Sequence, residues 1–182
     1  MKIRNRLAAL LLCVTIGATL AACGNETKSV GASGSAQDTS ESESLNGEQI
    51  ANPWVENKDQ ADAQEQAGFS MELPSTLPEG YESDGFQVIP GEILEADYVG
   101  KDEAKLCIRK ATGTDDPSGD YNEYNTVKTI TVEDVSVTIK GDGDTIYLAV
   151  WNNGSYAWSI GVYNGTGLTQ QEMERLIAEV LE

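Results

Sequence analysis

Histidine is absent from all 182 residues. That single absence removes Ser-His-Asp and Cys-His nucleophilic machinery, imidazole general bases and imidazole metal ligands together. Cysteine is scarce as well, with three residues, Cys13, Cys23 and Cys107. Cys13 falls inside an apolar N-terminal run and Cys23 at its end. Cys107 is therefore the one thiol expected in the folded part, where no intrachain disulfide is expected. It sits in the strand-like run Lys105-Leu106-Cys107-Ile108-Arg109, a setting that favours a buried, inert side chain over a reactive one. Positive charge is also short: 12 Lys and Arg stand against 30 Asp and Glu, a net charge of −18. Such a surface repels nucleic acid and anionic head groups. It suits solubility, cations or basic partners, and a monomer is expected. The longest apolar run, Leu7 to Leu20, is well short of the roughly 20 residues a membrane span needs. No Gly-x-Ser-x-Gly, Ser-x-x-Lys or phosphate-cradling glycine loop is present, and Asn164-Gly165-Thr166-Gly167 lacks the lysine such a loop requires. The expectation is a non-enzymatic protein. A hydrolase built on paired carboxylates is the remaining catalytic alternative.

The N-terminal run has the parts of an export signal. Lys2, Arg4 and Arg6 form a positive start, residues 7–20 an apolar middle, and small residues precede a cleavage point. Leu20-Ala21-Ala22-Cys23 resembles the lipobox of bacterial lipoproteins, in which the cysteine is acylated and becomes the new N-terminus. The resemblance implies lipidation at Cys23, an extracytoplasmic address and anchoring through acyl chains, two or three of which hold a protein stably. Residues 24–50 contain no aromatic residue, few branched apolar ones and many Ser, Gly and Glu. Such a segment cannot bury enough surface to offset its ordering entropy, so a disordered linker is expected. As a flexible coil it would span about 30 Å. The expected organisation is residues 1–22 as signal, 23–50 as lipidated cysteine and linker, and 51–182 as one domain.

Within that domain a helix is predicted over residues 58–67, capped by Asn57 or Asp59 and stopped by Gly68. Alternating apolar residues then predict a series of strands. Phe69, Met71 and Leu73 mark one; Phe86 and Val88 a second; Leu94, Ala96 and Tyr98 a third; residues 104–111 and 126–132 two more. Val135, Val137 and Ile139 alternate with Ser136, Thr138 and Lys140, the mark of an antiparallel strand with one wet face. Ile146, Leu148 and Val150 form a further inner row, out of phase with Trp151. Asn153-Gly154 signals a hairpin into Tyr156, Trp158, Ile160 and Val162. Thr169 and Glu172 make a capping box for a C-terminal helix whose Met173, Leu176, Ile177, Val180 and Leu181 share a face. The expected class is α+β: an antiparallel sheet of seven or eight strands with an N-terminal and a C-terminal helix packed on it.

Two constellations stand out as candidate sites. Residues 115–123 hold Asp115, Asp116, Asp120 and Glu123, a clustering of hard oxygens that calcium would take. The glycine falls at the fourth place rather than the sixth, and Val127 stands where a bidentate Glu is needed. An exposed acidic loop is the competing reading, and a calcium-stabilised binding module is the functional alternative it carries. Asp142 and Asp144 add oxygens only if the fold brings them near. The aromatic residues Trp54, Tyr121, Tyr124, Trp151, Trp158 and Tyr163 are the candidates for a carbohydrate or peptide groove. Trp158 keeps phase with the core. Tyr121, Tyr124 and Trp151 are the candidate contact surface.

Leu77-Pro78-Glu79-Gly80-Tyr81, Trp151 with Gly154 and Tyr156, and Leu168 through Met173 together resemble DUF4367, a bacterial domain family of unknown function. The likeness runs over roughly residues 52–182. The family occurs in lipoproteins and as the outer domain of membrane-spanning anti-sigma factors, and it brings no catalytic residues. The resemblance implies an envelope protein, of Gram-positive type. The apolar run here ends in a lipobox rather than spanning to a cytoplasmic domain. Any signalling role is therefore expected to pass through another envelope or membrane protein.

Overall fold

The structure, a computed structural model, describes residues 51–181. The expected signal, the lipobox residues Leu20, Ala21, Ala22 and Cys23, and the linker lie outside the described residues. Nine strands and two helices follow in the order β1 (Val55–Asn57), α1 (Gln60–Ala67), β2 (Glu82–Ile89), β3 (Ile93–Val99), β4 (Lys105–Thr112), β5 (Thr126–Val132), β6 (Val135–Asp142), β7 (Thr145–Asn153), β8 (Tyr156–Tyr163), β9 (Leu168–Thr169) and α2 (Gln170–Val180). The class is α+β, as the grouping of strands between helices implies.

The sheet order is β1-β2-β3-β4-β8-β7-β6-β5, with the short β9 on β7, and every pairing is antiparallel. Two meanders, β2-β3-β4 and β5-β6-β7-β8, meet at the seam between β4 and β8. The strand after β4 lies at the far edge of the sheet. Residues 113–125 must therefore cross β8, β7 and β6, and they also pass from the end of β4 that pairs with Tyr156 to the end near Gly141, where β5 starts. The consequence is a diagonal strap over one face of the sheet.

Both helices pack on the other face. Asp59 caps α1 through the amides of Ala61 and Asp62, and Gly68 ends it at φ 78°, a left-handed conformation that costs glycine little. Its buried side chains are only Ala63 and Ala67. α2 carries the predicted capping box, the Thr169 hydroxyl accepting from the Glu172 amide and the Glu172 carboxylate accepting from the Thr169 amide. It buries Met173, Leu176, Ile177 and Val180. These residues meet Val88, Leu94, Leu106, Ile108, Val137, Ile139 and Ile160 in one core.

The structure corrects two expectations. Residues 69–73 form no strand. The Met71 amide donates to Gln64 Oε1 at 2.8 Å and the Met71 carbonyl accepts from Gln60 Nε2 at 2.9 Å, so α1 side chains take the groups a sheet partner would need. In β7 the inner row is Ile146, Ala149 and Trp151, with Leu148 and Val150 on the strap side. Ile146 pairs with Gly141 and Leu148 with Lys140, leaving Tyr147 as the extra residue of a bulge. A bulge shifts the phase by one residue and turns the following side chains over.

Candidate functional site

The strap face is polar at its centre because neighbouring strands place complementary groups opposite one another. Glu95 pairs in register with Arg109, and Asp97 with Cys107. Arg109 Nε donates to Glu95 Oε2. Its Nη1 donates to the carbonyls of Pro117 at 3.0 Å and Ser118 at 2.5 Å, and its guanidinium lies 5.4 Å from the centre of the Trp54 ring. One side chain thus ties β3, β4, the strap and the segment before β1. Glu95 is only 3% exposed, so its charge is sustained by that guanidinium.

Cys107 Sγ donates to Asp97 Oδ1 at 3.3 Å, and Gln87 Nε2 donates to Asp97 Oδ2 at 2.9 Å. Burial, then the Asp97 charge and hydrogen bond, push the thiol up to about 12, so it is protonated at neutral pH. Glu95, Asp97 and Cys107 are the group of three metal-capable side chains that converges among the described residues, their ligand atoms within 4.8 Å of one another. Their valences are already committed: Glu95 to Arg109, and Asp97 to the thiol and the Gln87 amide. A cleft of about 660 Å³ opens over them, bounded by Trp54, Glu95, Arg109 and Ser118.

Farther along, the strap holds itself. Asp116 Oδ1 accepts from the Ser118 amide at 2.9 Å, and Oδ2 lies 3.4 Å from Lys140 Nζ. Burial raises the Asp116 carboxyl, but the Ser118 hydrogen bonds and the Lys140 charge outweigh it and leave the group below its ordinary value. Asp120 Oδ1 accepts from the Asn122 amide at 2.7 Å and Oδ2 from the Tyr124 hydroxyl at 2.7 Å. Asp115 and Glu123 are exposed. Asp116 and Asp120 therefore serve turns and neighbours, and Asp115, Asp116, Asp120 and Glu123 do not converge among the described residues. Asp142 does approach the strap, accepting from Asn125 Nδ2 at 2.9 Å.

The candidate contact residues divide three ways. Tyr121 is 96% exposed. Tyr124 is half-buried and anchored by Asp120. Trp151 is 2% exposed and stacked on Trp158, ring centres 5.8 Å apart and planes within 8°. Trp151 is therefore a core residue, a correction that follows from the Tyr147 bulge.

A second cleft, about 410 Å³, lies where the strap reaches β5. Tyr124 from the strap and Tyr147 from the bulge form its wall, ring centres 6.3 Å apart at 29°. Tyr163, at the end of β8, adds a third ring. Its hydroxyl donates to the Ser118 carbonyl at 3.4 Å, and burial pushes its phenol up to about 12 although Arg109 opposes the shift. Gly161 makes room for that ring: a Cβ there would sit 2.5 Å from the Tyr163 hydroxyl. Tyr147 is not among the residues the sequence singles out, and Asn164 figures there only in a glycine loop without a lysine. Tyr147 looked like an ordinary strand position, and only the out-of-phase Trp151 hinted at a bulge beside it.

No helix among the described residues is long and apolar enough to cross a membrane. Neither a curated protein nor a solved structure matches the chain significantly. A family model, Domain of unknown function (DUF4367), matches residues 73–180.

Proposed function

The chain belongs to the DUF4367 family, and on that premise we propose that it is a lipid-anchored extracytoplasmic binding module. The observation that carries this reading is the order of segments in the sequence. A charged and apolar start runs into Leu20-Ala21-Ala22-Cys23, residues 24–50 without an aromatic follow, and the folded domain of the described residues comes after them. Acylation at Cys23 would hold that unit at the outer surface of the membrane, with the polar stretch as its tether. The groups best suited to chemistry are committed to one another, which supports binding over catalysis. The Cys107 thiol is kept protonated beside Asp97, and Glu95 is neutralised by Arg109.

Metabolic labelling with a radioactive fatty acid tests the reading, together with protease digestion of intact cells from which the wall has been removed. The wild-type chain is expected to take up label and to be digested from outside. Cys23→Ala is expected to lose the label. A wild-type chain that is unlabelled, or shielded by an intact membrane, would overturn the proposal.

A further inference from the structure

We infer that the cleft walled by Tyr124, Tyr147 and Tyr163 is a binding site for a neutral oligosaccharide. This rests on the binding-module reading above and names the ligand class for it. A pyranose ring presents a patch of C–H bonds on its face and hydroxyls around its edge. A site for it needs fixed aromatic surface beside groups that both donate and accept hydrogen bonds. The three tyrosines supply the surface, and two are held in place from behind: Tyr124 by Asp120 at 2.7 Å and Tyr163 by the Ser118 carbonyl at 3.4 Å. Those two rings are therefore pre-positioned, which lowers the ordering cost of binding. Asn122, Asn125 and Asn164 line the same cleft, and a primary amide both donates and accepts at one position. Asn164 is held at φ 55°, a left-handed conformation that asparagine tolerates better than most residues.

The charge of the lining excludes the main competitor. Its ionic groups are Glu123 and Asp142, with no Lys or Arg among the lining residues. Phosphorylated or carboxylated ligands are thus disfavoured, while a neutral glycan meets no repulsion. The volume of about 410 Å³ falls in the range of roughly 300–1,000 Å³ usual for small-molecule sites. It admits a short stretch of a longer chain.

Isothermal titration of the full chain tests the inference. The chain is kept in a detergent without a sugar headgroup, and the probes are chitotetraose, cellotetraose and maltotetraose. At least one tetraose is expected to bind saturably. Tyr147→Ala should weaken it by about tenfold or more, the equivalent of about 1.4 kcal/mol, and Tyr121→Ala should leave it unchanged. Asn164→Gly is the control for folding, because glycine accepts φ 55° while removing the amide. It too is expected to weaken binding. Absence of saturable binding to all three probes at millimolar concentration would overturn the inference, as would binding that survives both cleft variants. A labelled chain that binds none of the probes would sink the sugar site and leave the anchored module standing. An unlabelled chain that binds a tetraose through Tyr147 would do the reverse.

Discussion

Arg109 and Lys110 are neighbours on β4 and point to opposite faces of the same sheet. Arg109 meets oxygen: the Glu95 carboxylate and the carbonyls of Pro117 and Ser118. Lys110 meets aromatic rings, its ammonium lying 4.3 Å from the centre of Tyr156, 4.9 Å from Trp158 and 5.6 Å from Phe69, and donating to the Ser70 carbonyl at 2.6 Å. The planar guanidinium can serve several acceptors in fixed directions, whereas the ammonium is a compact charge that sits well over ring faces. Each cation fastens the covering of its own side. Arg109 holds the strap, and Lys110 holds the segment that follows α1.

The two fastenings should fail by different amounts. Arg109→Ala leaves Glu95 buried without a counter-charge and releases the strap. A loss of about 3–5 kcal/mol is expected, the cost of breaking a buried ion pair from one side. Arg109→Lys is expected to restore only a small part, since one ammonium cannot serve the carboxylate and both carbonyls together. Urea denaturation of each variant measures both, provided the slope is unchanged. If Arg109→Lys recovered most of the stability, simple charge rather than geometry would be the fastening.

Lys110→Met preserves the aliphatic stem and removes the charge. The expected loss is about 1–2 kcal/mol, the scale of a partly desolvated cation–π contact, read from the same denaturation curves. A loss as large as that of Arg109→Ala would erase the contrast between the faces.

Acid should produce the smallest and most local effect. The Asp116 carboxyl is depressed in the folded state. Its stabilisation is therefore present above the unfolded value of about 3.9 and is lost as pH falls through the lower, folded value. Hydrogen exchange is expected to show the Ser118 amide losing protection in that window. The fluorescence of Trp158, stacked on Trp151 in the core, should hold steady. Simultaneous change at both would mean that the strap and the core are one cooperative unit.

The parts of this fold that rest on local chemistry could be read from the chain directly. Thr169 and Glu172 lie three residues apart, and their capping box involves only each other and the backbone. The alternation of Val135, Val137 and Ile139 survives because β6 carries its inner row without interruption up to its bulge partner at Lys140 and Gly141. Legibility failed where a distant group intervened. Met71 lost its strand to Gln60 and Gln64, and Trp151 changed faces because Tyr147 bulges against β6. The Arg109 cluster was visible only in halves. Glu95 and Asp97 alternate in one strand and Cys107 and Arg109 in the next, and nothing local states that these rows lie opposite each other. The acidic run of the strap leaves a cation site and an exposed loop both open in the sequence, which shows how many carboxylates are present but not which backbone amides they turn toward.

The seam between β4 and β8 has a kinetic consequence. It pairs residues 105–112 with residues 156–163, whereas the other pairings between the main strands join chain neighbours through short turns. Each meander also carries its own helix, α1 against β1, β2 and β3, and α2 against β5, β7 and β9. Closing a long loop is entropically slow, and non-local pairings set the folding rate of sheets. The expected order is therefore early formation of each half, with their docking as the late step. The strap is the covalent leash that makes this docking intramolecular, raising the concentration at which the halves meet rather than relying on chance encounter.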